Sequence, residues 1–455
     1  MNMRPPWIIG VVSLLVLTVA TRVWRLADPP LAVFDETHYA TLAAQYLSGR
    51  PFIFSHPPLA ALHFAVLAWL GGASPSSQFI APLTPYGDFP YVLLRAGSAA
   101  AGTLLVLFLM LAARETTHSD TVGLLVGFLA ALDNTLILYS RLILPDTFLL
   151  FYGTAGLWFF LTASRQPYRR RGWYVRLIAA SILFGFAGAV KVTGFIFPAA
   201  AFIYTVVFNH RRNYAIAIHL VRYLIILPVI IGIMLMLVHF LLLDPTGPVF
   251  LGADNISTTM LDPIRQNNPF YPEHYIIGRL TQRSAETAIG YLFTIGYHFT
   301  DVQHAIMSSR WWMWPYALKP IRLFSRAPDG AVHIMYLAAN PIVWWSGLAA
   351  LAYLIPRRIQ PGRRGANIDL WLIGYFLYLL VMALIPRTMF LYHYLPALVF
   401  LLPVTALALA KLHAAQPLLS IIVLCSMAAS YVYFSPYTYG LPLDLYWTPL
   451  VLGRG

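Results

Sequence analysis

Two adjacent carboxylates, Asp35 and Glu36, stand in the string AVFDETHYA just after the first apolar segment of the chain. A charged side chain is costly near a bilayer, so a carboxylate placed there is a functional candidate. A carboxylate can act as a general base that takes the proton of an attacking hydroxyl group. The plain alternative is a solvated loop, because most Asp and Glu residues are exposed and have no chemical role.

Further charges interrupt the apolar segments that follow. The string LDNTLILYSRLILPDTFLLF, residues 132–151, contains Asp133, Arg141 and Asp146. A buried Asp and Arg in such a segment either neutralise each other or belong to a site, and the sequence leaves both interpretations open.

Two basic residues lie where we expect turns on the same side of the membrane. Lys191 lies in a very short turn between apolar segments, and Arg387 begins the string RTMFLYHYLPAL, which also contains His393. Snorkelling of a long side chain to the interface is the simpler explanation for Lys191. A ring of Arg and Lys facing a carboxylate also suits a phosphate whose hydrocarbon tail stays in the lipid.

Tryptophan is dense in the string SSRWWMWPYALKPI, which contains Arg310, Trp312 and Trp314. Trp and Tyr at this density are typical of an interfacial belt, but they also suit a wall that binds a sugar or a peptide. No HxxxH or HExxH spacing occurs, and Cys425 is the only cysteine, which excludes an internal disulfide and a zinc site made of several thiolates. No metal site is predicted.

The composition is that of a polytopic membrane protein. Of the 455 residues, 59% are hydrophobic and 10% are charged, and the mean hydropathy is +0.69. A soluble domain does not keep that much apolar surface from water. The net charge of +13 is better explained by basic cytoplasmic loops than by a nucleic-acid partner.

About eleven segments are apolar and long enough to cross a bilayer as helices. They lie near residues 7–22, 92–112, 121–139, 145–163, 175–190, 192–208, 223–243, 334–355, 368–386, 395–410 and 417–434. A cytoplasmic N-terminus places the basic short loops, such as RQPYRRRGWYVR, on the inside. The sequence therefore predicts an all-α polytopic membrane protein with about 11 transmembrane helices.

The same arrangement of transmembrane segments predicts that the chain has three regions. Residues 1–243 form an N-terminal transmembrane module that includes a long extracytoplasmic loop at 23–91. Residues 244–333 form a second long extracytoplasmic loop, and residues 334–455 form a C-terminal four-helix region. Both loops are rich in Pro and aromatic residues, as expected for surface loops with short amphipathic helices.

Several strings, taken in order, resemble one family. They are FDETHYATLAAQYL, HPPL, YVLLRAGSA, LDNTLILYSRLILPDTFLLFY, KVTG, SSRWWMWPYALKPI, NPIVWW and FLYHYLPAL. Together, from about residue 34 to residue 400, they make the chain look like a bacterial protein O-mannosyltransferase, a glycosyltransferase of type C.

The resemblance implies an inverting enzyme that moves mannose from a polyprenyl-phosphate carrier to Ser or Thr hydroxyls of exported proteins. It places the active site on the outer side of the plasma membrane, with the donor lipid, an acceptor polypeptide and the bilayer as partners. Phosphate already leaves well, so no cofactor is required and a divalent metal has no support in the sequence. The oligomeric state stays open.

The resemblance also suggests individual roles. Asp35 is expected to be the general base, and Glu36 is expected to orient the acceptor. The basic residues expected at the donor phosphate are Arg95, Arg387, Lys191 and Arg310, with His393 and Tyr394 lining the donor site. The residues expected near the acceptor or the sugar are His56, Asp133, Asp146, Trp312 and Trp314.

One position departs from the family pattern. Members commonly carry an acid two positions before the His of HPPL, and here that position is Phe54, followed by Ser55. A second carboxylate at the acceptor site is therefore either absent or supplied by another residue, such as Asp133 or Asp146. A lipid acceptor stays open for the same reason, as in the related aminoarabinose transferases that modify lipid A.

A transporter or lipid scramblase is the alternative from a different class. It would use Asp35, Asp133, Asp146 and Arg141 as a charge relay inside the membrane. That reading predicts broken helices with ionisable residues at mid-membrane. The sequence instead keeps its charges near the predicted outer boundary, which favours the glycosyltransferase.

Overall fold

The computed structural model describes residues 5–50, 52–54, 56–77, 79, 81–208, 214–243, 250–251, 307–327, 331–359, 368–386 and 388–443. Most of this part of the chain is helical. Its α-helices are α1 (Pro5–Val23), α2 (Glu36–Ser48), α3 (Leu59–Leu70), α4 (Tyr91–Thr117), α5 (Asp120–Ala131), α6 (Asn134–Tyr139), α7 (Asp146–Ala163), α8 (Arg171–Val190), α9 (Ile196–Phe208), α10 (Tyr214–Val221), α11 (Leu227–Leu242), α12 (Pro341–Ile359), α13 (Asp369–Ala383), α14 (Leu395–Ala415) and α15 (Pro417–Tyr439).

Short elements connect several of these helices. A π-helical turn, Arg222–Ile226, joins α10 to α11, and 3-10 helices occupy Val192–Phe195, Trp311–Tyr316 and Leu391–Tyr394. The strands are β1 (Phe52–Ile53), β2 (Phe250–Leu251), β3 (Ile321–Arg326), β4 (Val332–Leu337) and β5 (Pro442–Leu443). β1 and β2 are parallel, whereas β4 pairs antiparallel with both β3 and β5, with Ile321 opposite Leu337.

Six of the described helical segments are long and apolar enough to cross a membrane: Pro5–Val23, Tyr91–Thr117, Arg171–Val190, Ile218–Leu242, Leu391–Ala415 and Pro417–Tyr439. Shorter apolar helices cover Leu59–Leu70, Asp120–Ala131, Val192–Phe208 and Asp369–Ala383. The prediction of a polytopic helical membrane protein is therefore confirmed. The number of eleven crossings stays a prediction.

Two predicted spans have different bounds in the structure. The span predicted at 334–355 is wrong at its start, because Val332–Leu337 forms β4 and the helix begins only at Pro341. This stretch pairs antiparallel with β3, from Leu337 opposite Ile321 to His333 opposite Arg326, and this pairing holds it as a strand. The span predicted at 121–139 is interrupted at Asp133, whose carboxylate caps the N-terminus of α6 by accepting the N–H of Leu136 at 2.9 Å.

Close helix packing holds the centre of the molecule together. α7 packs against both α4 and α8. Its Gly153 and Gly156 face the rings of Phe197 and Phe184 so closely that a Cβ at either position would clash. Packing of small residues against neighbouring helices is a main source of helix association in lipid.

The fold brings four separated segments to one end of this helical bundle, which we call the site end. They are the start of α2, the start of α7, the turn after α8 and the 3-10 helix before α14. Side-chain contacts between these segments define the candidate active site.

Candidate active site

The two adjacent carboxylates have different surroundings. Asp35 is the residue before α2, it is partly exposed, and its backbone carbonyl accepts the N–H of His38 at 3.1 Å. The Glu36 side chain is fully buried. Its carboxylate accepts four hydrogen bonds, from Nε and Nη2 of Arg95 at 2.9 and 2.7 Å and from the backbone N–H groups of Val33 and Ile143, both at 2.9 Å.

Arg95 is equally occupied by the protein. Besides its two bonds to Glu36, it donates to the backbone carbonyls of Leu26, Pro29 and Leu31 at 3.2, 2.9 and 3.1 Å. A guanidinium carries five N–H groups, so all of them are used. The geometry therefore favours a structural role for this pair, and it does not favour the predicted contact of Arg95 with the donor phosphate or of Glu36 with the acceptor.

Aromatic rings close the Glu36–Arg95 pair off from one side. Tyr86 and Tyr91 stack with their centroids 4.5 Å apart, and the Arg95 guanidinium lies 5.6 and 5.0 Å from their ring centroids. Burial, followed by the nearby Glu36 carboxylate, raises the pKa of the Tyr86 phenol well above its usual value. Tyr86 is therefore neutral at physiological pH.

A second ion pair lies at the same end and is more open. Nζ of Lys191 donates to both carboxylate oxygens of Asp146 at 2.9 Å. The two side chains keep 13% and 12% of their surface exposed. Lys191 Nζ also lies 5.6 Å from the ring centroid of Tyr392. Lys191 and Asp146, predicted from separate strings, are thus brought together.

Tyr392 connects this open pair to the loop that carries Asp35. Its ring centroid lies 6.2 Å from that of Phe34, the residue before Asp35, and 5.8 Å from that of Tyr139. Tyr392 thus contacts both the lysine and the residue that precedes the predicted base. Sequence reasoning did not select Tyr392, Phe34 or Tyr139, although Tyr392 lies inside the string FLYHYLPAL that was singled out.

His393 and Tyr394 extend the site in two directions. The ring of His393 stacks on Tyr392 at 4.3 Å and lies 6.0 Å from Trp314, which is buried and donates Nε1–H to the Ser309 hydroxyl at 3.0 Å. Tyr394 is fully buried and shares a hydrogen bond with the Tyr375 hydroxyl at 3.2 Å. His393 thus lies next to Tyr392, the residue beside Lys191, whereas Tyr394 is buried in the protein interior.

Asp133 is held away from the solvent. Its side chain is fully buried. One oxygen caps α6, and the other accepts Nε1–H of Trp344 at 2.8 Å. The ring of Trp344 packs 4.8 Å from that of Tyr394. These contacts favour a structural role for Asp133 over the predicted contact with the acceptor.

Arg141 does not neutralise either neighbouring aspartate, so that interpretation is wrong. It donates instead to the backbone carbonyls of Arg22, Trp24 and Arg25, at 2.8, 2.6 and 3.0 Å, where α1 ends. Carbonyls at a helix C-terminus lack helical partners, and a cation there is stabilising. Arg141 therefore fixes the end of α1, which weakens the charge relay that a transporter requires.

His56, which was predicted near the acceptor or the sugar, lies in a group of aromatic residues around Phe54. His56 is partly buried, with its ring 5.7 Å from that of Phe54, which also contacts His38 and Tyr39 at 6.1 and 5.5 Å. The departure from the family pattern at Phe54 thus gives an aromatic cluster beside α2.

Three predicted residues remain: Arg310, Trp312 and Arg387. Arg310 and Trp312 are exposed around the start of the 3-10 helix Trp311–Tyr316. Arg387 lies outside the described residues. In the ranges that the structure describes, no three His, Cys, Asp or Glu side chains are grouped as they would be around a metal ion.

Comparisons with known proteins identify the family to which the chain belongs. The family model for dolichyl-phosphate-mannose-protein mannosyltransferase matches residues 12–244. The model for the C-terminal four-helix transmembrane region of protein O-mannosyltransferases matches residues 292–446.

Curated relatives have matching names. Protein O-mannosyltransferase 1 of Drosophila melanogaster is 30% identical over 250 residues, 52% of this chain and 28% of the relative. Dolichyl-phosphate-mannose--protein mannosyltransferase 1 of Saccharomyces cerevisiae is 30% identical over 271 residues, 56% of this chain and 33% of the relative. These matches therefore span a third or less of each relative's length.

Solved structures show the same fold. The S. cerevisiae protein O-mannosyltransferase Pmt1-Pmt2 complex bound to the sugar donor has a TM-score of 0.81 at 18% identity, covering 98% of this chain and 91% of that chain. ArnT from Cupriavidus metallidurans bound to undecaprenyl phosphate has a TM-score of 0.58 at 13% identity, covering 95% and 76%. From the family models and this shared architecture, the chain belongs to the protein O-mannosyltransferase family.

Proposed function

We propose that this protein transfers mannose from a polyprenyl-phosphate carrier to Ser or Thr hydroxyls of polypeptides. The observation that carries the proposal is that a partly exposed carboxylate and a partly exposed cation lie on segments that contact the same aromatic residue. Asp35 follows Phe34, whose ring contacts Tyr392, and Tyr392 in turn lies beside the Lys191 ammonium. The names of the curated relatives support the donor and the acceptor class.

Asp35 acts as the general base in this proposal. It takes the proton of the acceptor hydroxyl while the hydroxyl oxygen forms a bond to the anomeric carbon of mannose. The bond between that carbon and the phosphate oxygen breaks on the opposite face, so the configuration inverts. Its place before α2 and its partial exposure suit a group that must meet a polypeptide.

Lys191 stabilises the leaving phosphate. The phosphate gains negative charge as its bond to the sugar breaks, and a fixed cation lowers the free energy of that transition state. Two N–H groups of Lys191 are held by Asp146, which orients the ammonium. An ammonium carries three donors, so one more is directed elsewhere and is our candidate for the phosphate.

The Glu36–Arg95 pair has a positioning role here. It connects α2, α4, the loop before α2 and the turn before α7, which begins at Asp146. This single pair therefore sets the positions of both Asp35 and the open ion pair. His393 and Arg387 complete the donor site in this proposal, with the site facing the outside of the plasma membrane and the N-terminus in the cytoplasm.

The test is mannose transfer by the purified full-length protein. Radiolabelled polyprenyl-phosphate mannose is offered with a Ser/Thr-rich peptide, or with lipid A, in the presence and absence of EDTA. Label on the peptide that is independent of EDTA is the expected result. Label on lipid A alone would move the acceptor to the lipid class, and no transfer to either acceptor would contradict the proposal.

A further inference from the structure

The segment of residues 165–176, RQPYRRRGWYVR, forms the most basic short connection in the described chain, between α7 and α8. It contains Arg165, Arg169, Arg170, Arg171 and Arg176, and no Asp or Glu occurs anywhere from residue 147 to residue 243. Because α7 begins at the site end with Asp146 and ends at Ala163, this basic segment lies at the opposite end of the bundle.

The acids near this segment already have partners. Glu115 pairs with Arg165, Asp120 with Arg114, and Asp369 with Arg358. Arg169, Arg170 and Arg171 are exposed. Within the ranges that the structure covers, no carboxylate forms an ion pair with any of these three arginines. Among the residues that the structure describes, their positive charge is therefore not compensated by an ion pair.

Aromatic rings form a cluster in the same segment as the three arginines. Trp173 contacts Tyr168, Tyr174 and His219 with ring centroids 5.2, 5.0 and 5.5 Å apart. The guanidinium of Arg169 lies 5.3 Å from the ring centroid of Tyr168. Trp and Tyr are enriched at the membrane–water interface, so a cluster of this kind is typical of the depth of lipid headgroups.

We propose that Arg169, Arg170 and Arg171 bind the headgroup phosphates of anionic phospholipids on the membrane surface opposite the candidate active site. Guanidinium groups match phosphate oxygens with paired hydrogen bonds. α8 adds a partial positive charge, because its N-terminus is at Arg171 and no side chain caps it. Each basic residue near an anionic surface strengthens binding by about fivefold.

The test compares two fluorescent lipids with identical acyl chains, phosphatidylglycerol and phosphatidylcholine, on the detergent-solubilised full-length protein. The wild type is expected to bind phosphatidylglycerol more tightly than phosphatidylcholine. Addition of about 0.5 M NaCl is expected to reduce this preference, because salt screens the charges. The triple variant Arg169→Gln, Arg170→Gln, Arg171→Gln is expected to lose it by about tenfold or more.

Two further variants separate charge from folding. Lysine at the same three positions keeps the charge and is expected to keep most of the preference. The matched control Lys319→Gln, Arg322→Gln, Arg326→Gln removes three exposed charges in and just before β3 and should leave the preference unchanged.

Three results would overturn the proposal. Equal affinity of the wild type for the two lipids would show that the arginines are only solvated. A preference that survives the triple Gln variant would place the lipid elsewhere. Displacement of phosphatidylglycerol by millimolar soluble glycerol phosphate would show that the ligand is a free phosphate and not a membrane surface.

Discussion

The Glu36–Arg95 and Asp146–Lys191 ion pairs both lie at the site end, but they differ in exposure. Arg95 and Glu36 retain 1% and 0% of their side-chain surface, whereas Lys191 and Asp146 retain 13% and 12%. The guanidinium of Arg95 donates all five of its N–H groups to protein oxygens. The ammonium of Lys191 uses two donors on Asp146.

This difference separates two roles that look alike in sequence. A cation whose donors are all satisfied by the protein fixes the backbone around it. A cation that is held on one side and open on the other can bind a ligand without losing its position. We call Glu36–Arg95 the closed pair and Asp146–Lys191 the open pair. In our proposal the closed pair organises the site, and the open pair contacts the substrate.

The largest effect is expected from breaking the closed pair. Replacing Glu36 by Ala leaves a buried arginine without its counter-charge, which costs about 3–5 kcal/mol of folding free energy. The melting temperature of the full-length protein in detergent should fall markedly. Asp146→Ala is the matched variant in the open pair, and we expect it to be clearly less destabilising. Equal melting temperatures for the two variants would erase the distinction between the pairs.

The Asp133–Trp344 contact is the next most costly to remove. Trp344→Phe deletes the Nε1–H that Asp133 accepts, and one unsatisfied buried acceptor costs about 1–3 kcal/mol. Thermal unfolding should report this loss, while affinity for polyprenyl-phosphate mannose stays close to that of the wild type. A variant with normal stability and weakened donor binding would return Asp133 to the substrate site.

Breaking the Asp146–Lys191 pair should change the affinity for the donor more than it changes the stability of the protein. Lys191→Met removes a charge-assisted hydrogen bond to the phosphate, and donor affinity is expected to fall by about tenfold to a hundredfold. Equilibrium binding of labelled polyprenyl-phosphate mannose measures the change. The control is Lys319→Met, which changes an exposed lysine. Unchanged affinity in Lys191→Met would remove Lys191 from the phosphate site.

The smallest effect is expected at an exposed pair near the same loop. Arg25 and Asp28 form an ion pair at 2.8 Å, but 40% and 45% of their side chains are exposed. Water screens such pairs, so Arg25→Gln should change stability by less than about 1 kcal/mol. A loss as large as that of Glu36→Ala would show that exposure does not rank these pairs.

The membrane class and the family could be predicted from the sequence. Long apolar segments and ordered strings are local features, so they can be read without coordinates. The hydrogen bonds of Glu36 were not readable, because Arg95 and Ile143 reach it from 59 and 107 residues away. The strand at Val332–Leu337 was taken for a helix because its apolar side chains suit both structures. For Arg387, the role stays a prediction.

The most direct test of the account is the single-turnover rate of mannose transfer by Asp35→Asn with bound donor. An amide cannot take the proton of the acceptor hydroxyl, so the rate is expected to fall by about 10²–10⁴-fold while donor affinity is retained. A rate near that of the wild type, with the same donor affinity, would contradict the assignment of Asp35 as the general base.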